Sequence, residues 1–225
     1  MSSSFIEFSR PDGALTRAYL ARAARADAPS VVVLQEWWGL NSQIQSVADR
    51  FAAAGFNALA PDLYRGRLAT DGEEANHLMS GLDFADATHQ DVRGAVQHLA
   101  TTFGRPVGVM GFCMGGALTV AAAVHVPGLS AAVCFYGAPP KAFADPATIT
   151  IPFQAHFATR DDWCTPAVAQ TLEADMRAAG RQPDVHHYEA DHAFFNQTRP
   201  EVFNASCADL AWTRTLAFFG QHLGG

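Results

Sequence analysis

Residues 107–124 read VGVMGFCMGGALTVAAAV: an apolar run, a glycine-rich turn and an alanine-rich stretch in succession. The first part predicts a buried strand over residues 107–110, and the last part predicts a helix over residues 116–124. Between them, GFCMG has the G-x-nucleophile-x-G pattern of a strand that turns sharply into a helix, where the neighbours of the nucleophile can carry little side chain. At a helix N-terminus the thiol of Cys113 is favoured as a thiolate. The pattern therefore favours Cys113 as a nucleophile, with a buried, unreactive cysteine as the alternative.

The composition excludes several classes of function. The 225 residues, 49% of them hydrophobic, fit one domain that spans residues 1–225. A formal charge of −7 without a Lys/Arg cluster argues against a nucleic-acid or anionic-membrane partner. The N-terminal residues lack a signal-peptide pattern and no apolar segment is long enough to span a bilayer, so we expect a cytoplasmic protein. The widely spaced cysteines suggest neither a disulfide framework nor a zinc site.

Strand and helix patterns alternate along the chain, which is typical of an α/β domain with a mostly parallel sheet. The predicted strands cover residues 5–8, 16–21, 30–35, 57–60, 107–110, 131–136, 153–158 and 185–188. The first two alternate more strongly in polarity, so we expect them to form an antiparallel edge. The predicted helices cover residues 42–54, 72–80, 88–102, 116–124, 166–179 and about 201–222.

Chemically active side chains follow several of the predicted strands. Because the carboxyl ends of parallel strands meet at one edge of a sheet, these side chains are expected to converge. In chain order they are Cys113, Asp161 and His192, the sequence nucleophile, acid, histidine that α/β-hydrolases use. An imidazole can take the thiol proton and return it to a leaving group, while a carboxylate holds the imidazole tautomer. Asp162 also qualifies as that carboxylate, although the position of Asp161 at the strand end favours it.

The same edge offers an oxyanion hole and a pocket. The backbone N–H of Met114, after the nucleophile, and by position that of Trp37 are the expected oxyanion donors. Glu36 would repel a thiolate unless it pairs elsewhere or shares a proton with the thiol. An ordinary exposed glutamate is the alternative. Aromatic side chains beside these residues predict the lining of a small-molecule pocket: Trp38, Phe112, Tyr136, Trp163 and Phe194.

With these residues, the chain resembles the dienelactone hydrolase (carboxymethylenebutenolidase) family. The resemblance is carried by residues 35–41 (QEWWGLN), 61–64 (PDLY), 111–116 (GFCMGG), 135–137 (FYG) and 190–194 (ADHAF). It implies an α/β-hydrolase fold with helices on both faces of the sheet, and neither a metal nor an organic cofactor. It also implies a small-molecule ester or lactone substrate, and we expect a monomer or weak homodimer.

The resemblance further implies a triad of Cys113, His192 and Asp161, and a Glu36 that helps to generate the thiolate when substrate binds. The best-known members of the family hold the carboxylate of dienelactone with two arginines. Residues 72–80, which match the first site, contain no arginine, and the second position is Asn196, which we place in the substrate pocket. We therefore expect an altered specificity that favours uncharged esters or lactones.

Four other arginines are candidates to restore an anion site, with the first two favoured: Arg65, Arg67, Arg160 and Arg199.

Two other functions fit parts of the pattern. Amidotransferase-like and DJ-1-like proteins also place a cysteine on a strand-to-helix elbow near a glutamate, but the late Asp161 and His192 count against that interpretation. A ligand-binding or redox-sensing domain without enzymatic activity could use Cys113 as a reactive thiol. Turnover of a simple aryl ester, lost on Cys113→Ala, distinguishes an enzyme from such a domain.

Overall fold

Eight strands form one sheet in the computed structural model, which describes residues 2–224. They are β1 (Ser2–Ser9), β2 (Leu15–Arg22), β3 (Ser30–Leu34), β4 (Asn57–Pro61), β5 (Val107–Phe112), β6 (Leu129–Phe135), β7 (Phe153–Arg160) and β8 (Asp184–Asp191). Their order across the sheet is β1-β2-β4-β3-β5-β6-β7-β8. The pairs β1/β2 and β2/β4 are antiparallel, and all other neighbours are parallel. The mostly parallel sheet with an antiparallel edge is therefore confirmed.

Helices cover both faces of this sheet. They are α1 (Ser42–Ala53), α2 (Gly72–Ser80), α3 (Phe84–Asp86), α4 (Arg93–Phe103), α5 (Met114–His125), α6 (Pro166–Ala178) and α7 (Ala205–Leu223). The apolar side chains of α1 and α7 join one core, and those of α4, α5 and α6 join the other. Two cores on opposite faces are what an α/β arrangement requires, because each face of a buried parallel sheet must be covered. Among the described residues, no helix combines the length and apolar character needed to cross a bilayer.

The helix predicted over residues 88–102 begins earlier in the structure. The side chain of Asp83 accepts hydrogen bonds from the N–H groups of Ala85 and Asp86, which starts α3. A π-helical segment, Ala87–Val92, then continues without a break into α4. An aspartate N-cap of this kind is a local signal in the sequence.

The last helix differs in the opposite direction, because it starts at Ala205 and not near residue 201. The side chain of Asn204 accepts a hydrogen bond from the Cys207 N–H and caps the first turn. A short 3-10 helix, Pro146–Thr148, was not predicted; Asp145 caps it by accepting from the Ala147 N–H. Three residues are too few to produce a periodic apolar pattern.

Candidate active site

The candidate nucleophile, Cys113, lies at the junction of β5 and α5 with φ 55° and ψ −115°. A positive φ in a residue with a side chain costs about 1–3 kcal/mol and persists only where the surroundings hold it. Here the Cys113 N–H donates to the Phe135 carbonyl at 3.0 Å, and the Cys113 carbonyl accepts from the Ala117 N–H at 3.0 Å. Both of its backbone polar groups are thus fixed, one by the neighbouring strand and one by the helix.

Two glycines of the elbow leave no room for a side chain. A Cβ at Gly115 would lie 2.5 Å from the carbonyl oxygens of both Leu34 and Gln35. A Cβ at Gly111 would overlap the backbone of Gly115 itself. These contacts confirm the steric reason for the glycine pattern: the start of α5 passes directly over the end of β3.

A carboxylate and an imidazole meet at the carboxyl ends of β7 and β8. The Nδ1 atom of His192 lies 2.7 Å from Oδ2 of Asp161, whose side chain is fully buried. The other oxygen of Asp161 accepts hydrogen bonds from the N–H groups of Trp163 and Cys164, both at 2.8 Å. With both oxygens occupied, Asp161 has one orientation, and Nδ1 of His192 is fixed as the donor.

The two other carboxylates near this point are directed elsewhere. Asp162 is exposed and makes no hydrogen bond to His192. Asp191 accepts from the Nε atom of Arg160 at 2.9 Å. Of these three carboxylates, Asp161 is therefore the one that is hydrogen-bonded to His192.

The second ring nitrogen of His192, Nε2, faces the thiol of Cys113. It is buried, and within residues 2–224 it has no well-formed hydrogen bond. Burial alone would lower the pKa of His192, but the hydrogen bond to Asp161 and the nearby Cys113 sulfur together raise it to about 10. A raised pKa means that this imidazole holds a proton readily, which stabilises a negative charge on the sulfur beside it.

Glu36, which follows β3, is buried and lines a cavity with Cys113 and His192. Burial raises its pKa to about 7, against the opposing effect of a hydrogen bond from Asn196. One carboxyl oxygen accepts from the Asn196 Nδ2 group, and the other, Oε1, is buried without a hydrogen-bond partner among the described residues. The alternative of an ordinary exposed glutamate is therefore wrong, because the loop places this side chain beneath the surface.

Asn196 is oriented by its own neighbours. Its Oδ1 atom accepts from the N–H of Thr198 at 2.9 Å and from the Thr198 hydroxyl at 2.6 Å. The amide nitrogen must then point the other way, toward Glu36. Asn196 is 1% exposed, so it supports Glu36 from below and does not stand on the pocket wall.

Two backbone N–H groups lie where an oxyanion hole is expected. Met114 is the first residue of α5, so its N–H has no acceptor inside the helix. Trp37 follows β3 directly, and within residues 2–224 its N–H donates to no backbone carbonyl. The loop that carries Trp37 crosses beside the elbow, because β3 and β5 are hydrogen-bonded neighbours in the sheet.

Two cavities adjoin Cys113. The larger, about 170 Å³, is apolar and extends past Met114 and Ala138. The smaller, about 30 Å³, lies toward Glu36. Trp163 and His192 border both. Trp163 is 57% exposed, so one large apolar side chain stands open at the mouth of the candidate site.

The predicted pocket residues fall into two groups. Trp38, Tyr136 and Trp163 line the cavities that contain Cys113. Phe112 and Phe194 are almost fully buried in the core below, and neither lines these cavities. Phe112 stacks on Phe195 at 5.0 Å between ring centroids. Phe112 and Phe194 therefore belong to the packed core near the elbow and do not line the substrate pocket.

Of the four candidate arginines, Arg199 is placed at the candidate site. It lines the smaller cavity with Cys113, and its Nε donates to Glu201 at 2.7 Å. Arg65, which the sequence favoured, instead pairs with Asp91 at 2.8 Å. That preference is therefore corrected: Arg65 points toward the π-helical segment.

The remaining two arginines also lie outside the site. Arg67 is exposed and lines neither cavity that contains Cys113. Arg160 is occupied by Asp191.

Several residues of the larger cavity escaped the sequence analysis. Met79 and Phe84 come from the α2–α3 region, Cys164 comes from the segment before α6, and Val168 lies in the first turn of α6. Apolar side chains on helices are ordinarily assigned to a core, so no local signal marks them as pocket residues. Cys164 had a weaker hint, since it follows the favoured Asp161 by only three positions.

The chemistry available at this site is that of a thiol, an imidazole and two carboxyl groups. Within residues 2–224, including this site, no group of three His, Cys, Asp or Glu side chains is arranged to hold a metal ion. A thiol beside an oriented imidazole is the arrangement required for nucleophilic catalysis.

Comparison with known proteins gives a consistent family assignment. Residues 16–223 match the profile of the "Dienelactone hydrolase family". "Protein usf" of Aquifex pyrophilus is 33% identical over 228 residues, which cover 97% of this chain and 98% of that protein. The "Putative carboxymethylenebutenolidase" of Escherichia coli (strain K12) is 33% identical over 226 residues, with 92% and 83% covered. The crystal structure of a "Putative Dienelactone Hydrolase" from Klebsiella pneumoniae superposes with a TM-score of 0.86 at 28% identity, covering 98% of this chain and 100% of that one. This chain therefore belongs to the dienelactone hydrolase family, a group of hydrolases with the α/β-hydrolase fold.

Proposed function

We propose that the chain hydrolyses small esters or lactones through an acyl-thioester on Cys113. The observation that carries the proposal is the position of this strained elbow cysteine beside His192, with which it lines the same two cavities and whose Nδ1 atom is fixed by Asp161 at 2.7 Å. Membership of a hydrolase family supports the reaction class. The finer assignment, a triad of Cys113, His192 and Asp161, rests on this geometry.

In the first half of the reaction, the Cys113 thiolate attacks the carbonyl carbon of the substrate, and the electron pair of the C=O bond moves onto oxygen. The N–H groups of Trp37 and Met114 stabilise that oxyanion. The C–O bond to the leaving group then breaks, and Nε2 of His192 gives it the proton that came from the thiol. In the second half, His192 takes a proton from water, the resulting hydroxide attacks the thioester, and the sulfur leaves as thiolate.

Glu36 is proposed to control the charge on the nucleophile. With a pKa of about 7, its carboxyl group is partly protonated at neutral pH, so it can accept or return a proton at little cost. The free lone pairs of Oε1 are the acceptor for such a proton. Asn196 holds the other oxygen and keeps the carboxyl group in place.

The charge distribution favours an uncharged substrate. The position that carries a substrate-binding arginine in the family holds Asn196, which is committed to Glu36. Arg199 borders the smaller cavity, but it is already paired with Glu201. A substrate carboxylate placed beside the buried Glu36 would lose hydration without gaining an unpaired cation.

The test is hydrolysis of a neutral aryl ester by wild-type protein and by Cys113→Ala, with Cys207→Ala as the matched control. Cys207 is a partly buried cysteine in α7 that lines neither cavity at the candidate site. We expect Cys113→Ala to lose about a thousandfold or more in kcat and Cys207→Ala to retain activity. Mass spectrometry of wild-type protein quenched during turnover should show the acyl mass on the peptide that contains Cys113. Full activity of Cys113→Ala with an unchanged circular dichroism spectrum would contradict the proposal and favour a binding or redox-sensing domain.

A further inference from the structure

Besides the two cavities at Cys113, another cavity, called the second cavity below, lies between α6 and the loop that follows β6. Its volume is about 310 Å³, larger than that of either cavity at Cys113. Its walls are mostly apolar, with Val120, Pro139, Pro146 and Leu172 among them. A mostly apolar cavity with a few polar groups is the usual form of a small-molecule site, and this lining matches an apolar ligand.

This second cavity is adjacent to the nucleophile's own cavity. Ala138 and Val168 line both of them, so these two side chains form the boundary between the two spaces. Neither is fully buried, and Val168 is 40% exposed. An apolar surface therefore continues from Cys113, over Ala138 and Val168, to Val120 and Leu172.

The charged groups of the second cavity are already satisfied. Lys141 lies 2.8 Å from Asp175 and 3.7 Å from Asp145. A carboxylate at the far end of a ligand would have to compete with those two aspartates for Lys141. A hydrocarbon chain meets no such competition and buries apolar area on both sides.

We infer that the larger cavity at Cys113 and the second cavity together hold an extended apolar arm of the substrate. The preferred substrates are then esters with a medium-length alkyl or aryl chain. The inference rests on the proposed function, because it places the reacting carbonyl at Cys113. The arm belongs either to the acyl group or to the alcohol, and both would present the same chemistry to Val168 and Leu172.

The experiment compares kcat/KM for p-nitrophenyl acetate, butyrate and octanoate, and for ethyl and octyl acetate, on wild-type protein. Each methylene fully buried in the cavities should raise kcat/KM by up to about fourfold. We therefore expect at least about a tenfold gain from the short to the long ester in one of the two series, and that series identifies the arm.

Tryptophan substitutions on α6 provide the structural control. Thr171 and Ala167 are exposed residues that line the second cavity, so Thr171→Trp or Ala167→Trp should fill it. Gln170 is equally exposed on the same helix and lines no cavity at the site, so Gln170→Trp is the matched control. The two filling variants should lose the gain for the long ester and keep acetate turnover within about twofold, while Gln170→Trp keeps both.

Two results would count against the inference. Wild-type protein that hydrolyses acetate without favouring a longer ester in either series overturns it and leaves the proposed function intact. A long-chain preference that survives both filling variants overturns it as well, because the chain must then bind elsewhere. Wild-type protein that hydrolyses none of the esters overturns the proposed function, and this inference falls with it.

Discussion

Replacing Glu36 with glutamine should remove a large pH dependence of stability. The carboxyl group is 3% exposed, and burial raises its pKa from 4.5 to about 7. Between these two values the folded chain binds a proton that the unfolded chain has released. Raising the pH therefore favours the unfolded state, and the free energy of unfolding falls as the pH rises from about 4.5 to about 7.

The size of the effect follows from the two pKa values of Glu36. Linkage between pH 5 and pH 8 gives a loss of roughly 2–3 kcal/mol of folding free energy for this single carboxyl group. Glutamine has a similar shape, cannot ionise, and can still present an oxygen to the Nδ2 group of Asn196. The substitution should thus remove the charge while keeping the hydrogen bond.

The assay is urea unfolding of wild-type protein and of Glu36→Gln at pH 5 and pH 8. From pH 5 to pH 8, the unfolding free energy of wild-type protein should fall by roughly 2–3 kcal/mol more than that of Glu36→Gln. Glu7→Gln is the control, because Glu7 is exposed on β1 and makes no ion pair within the described residues. Identical pH dependence in wild-type protein and Glu36→Gln would refute the reasoning, since it would mean that Glu36 is solvated or paired in the folded protein.

Three further outcomes are expected. Asp161→Asn should lower kcat by at least about a hundredfold, because an amide supports the wrong imidazole tautomer, whereas Asp162→Asn should change kcat less than about twofold; the reverse ranking would contradict the geometry. The rate of Cys113 alkylation by iodoacetamide should change its pH profile in Glu36→Gln, and an unchanged profile would leave Glu36 with a structural role only. A neutral aryl ester should exceed the carboxylate-bearing dienelactone by about tenfold in kcat/KM; a preference for dienelactone that Arg199→Gln abolishes would show that Arg199 restores the anion site.

The sequence predicted the parts of the molecule that depend on neighbours along the chain. The apolar run, the glycine pair and the alanine-rich helix of residues 107–124 give a sharp strand-to-helix turn because sterics within a few residues allow little else. The parallel sheet followed from alternating periodicities. The sequence also predicted that Cys113, Asp161 and His192 converge, because each follows a strand and parallel strands have their carboxyl ends at one edge of the sheet.

Only the tertiary structure decided which of several equivalent side chains point inward. Asp161 and Asp162 are adjacent in sequence, and the turn after β7 alone directs Asp161 at His192, which lies 31 positions away. Likewise Asn196 meets Glu36 across a separation of 160 residues. No local pattern encodes the direction of a side chain in a loop, because that direction depends on contacts made after the sheet and its helices have packed together.

The arginines and the second cavity belong to the same category. The sequence favoured Arg65 over Arg199, but the ion pairs of these arginines with Asp91 and Glu201 are set by how the folded chain packs. The cavity beneath Val168 exists because α6 and the loop after β6 leave a gap between them. Sequence by itself thus determined the fold, the elbow and the chemical class of the site, while the packing of elements far apart in the chain decided the partner of each charged group and the space open to a substrate.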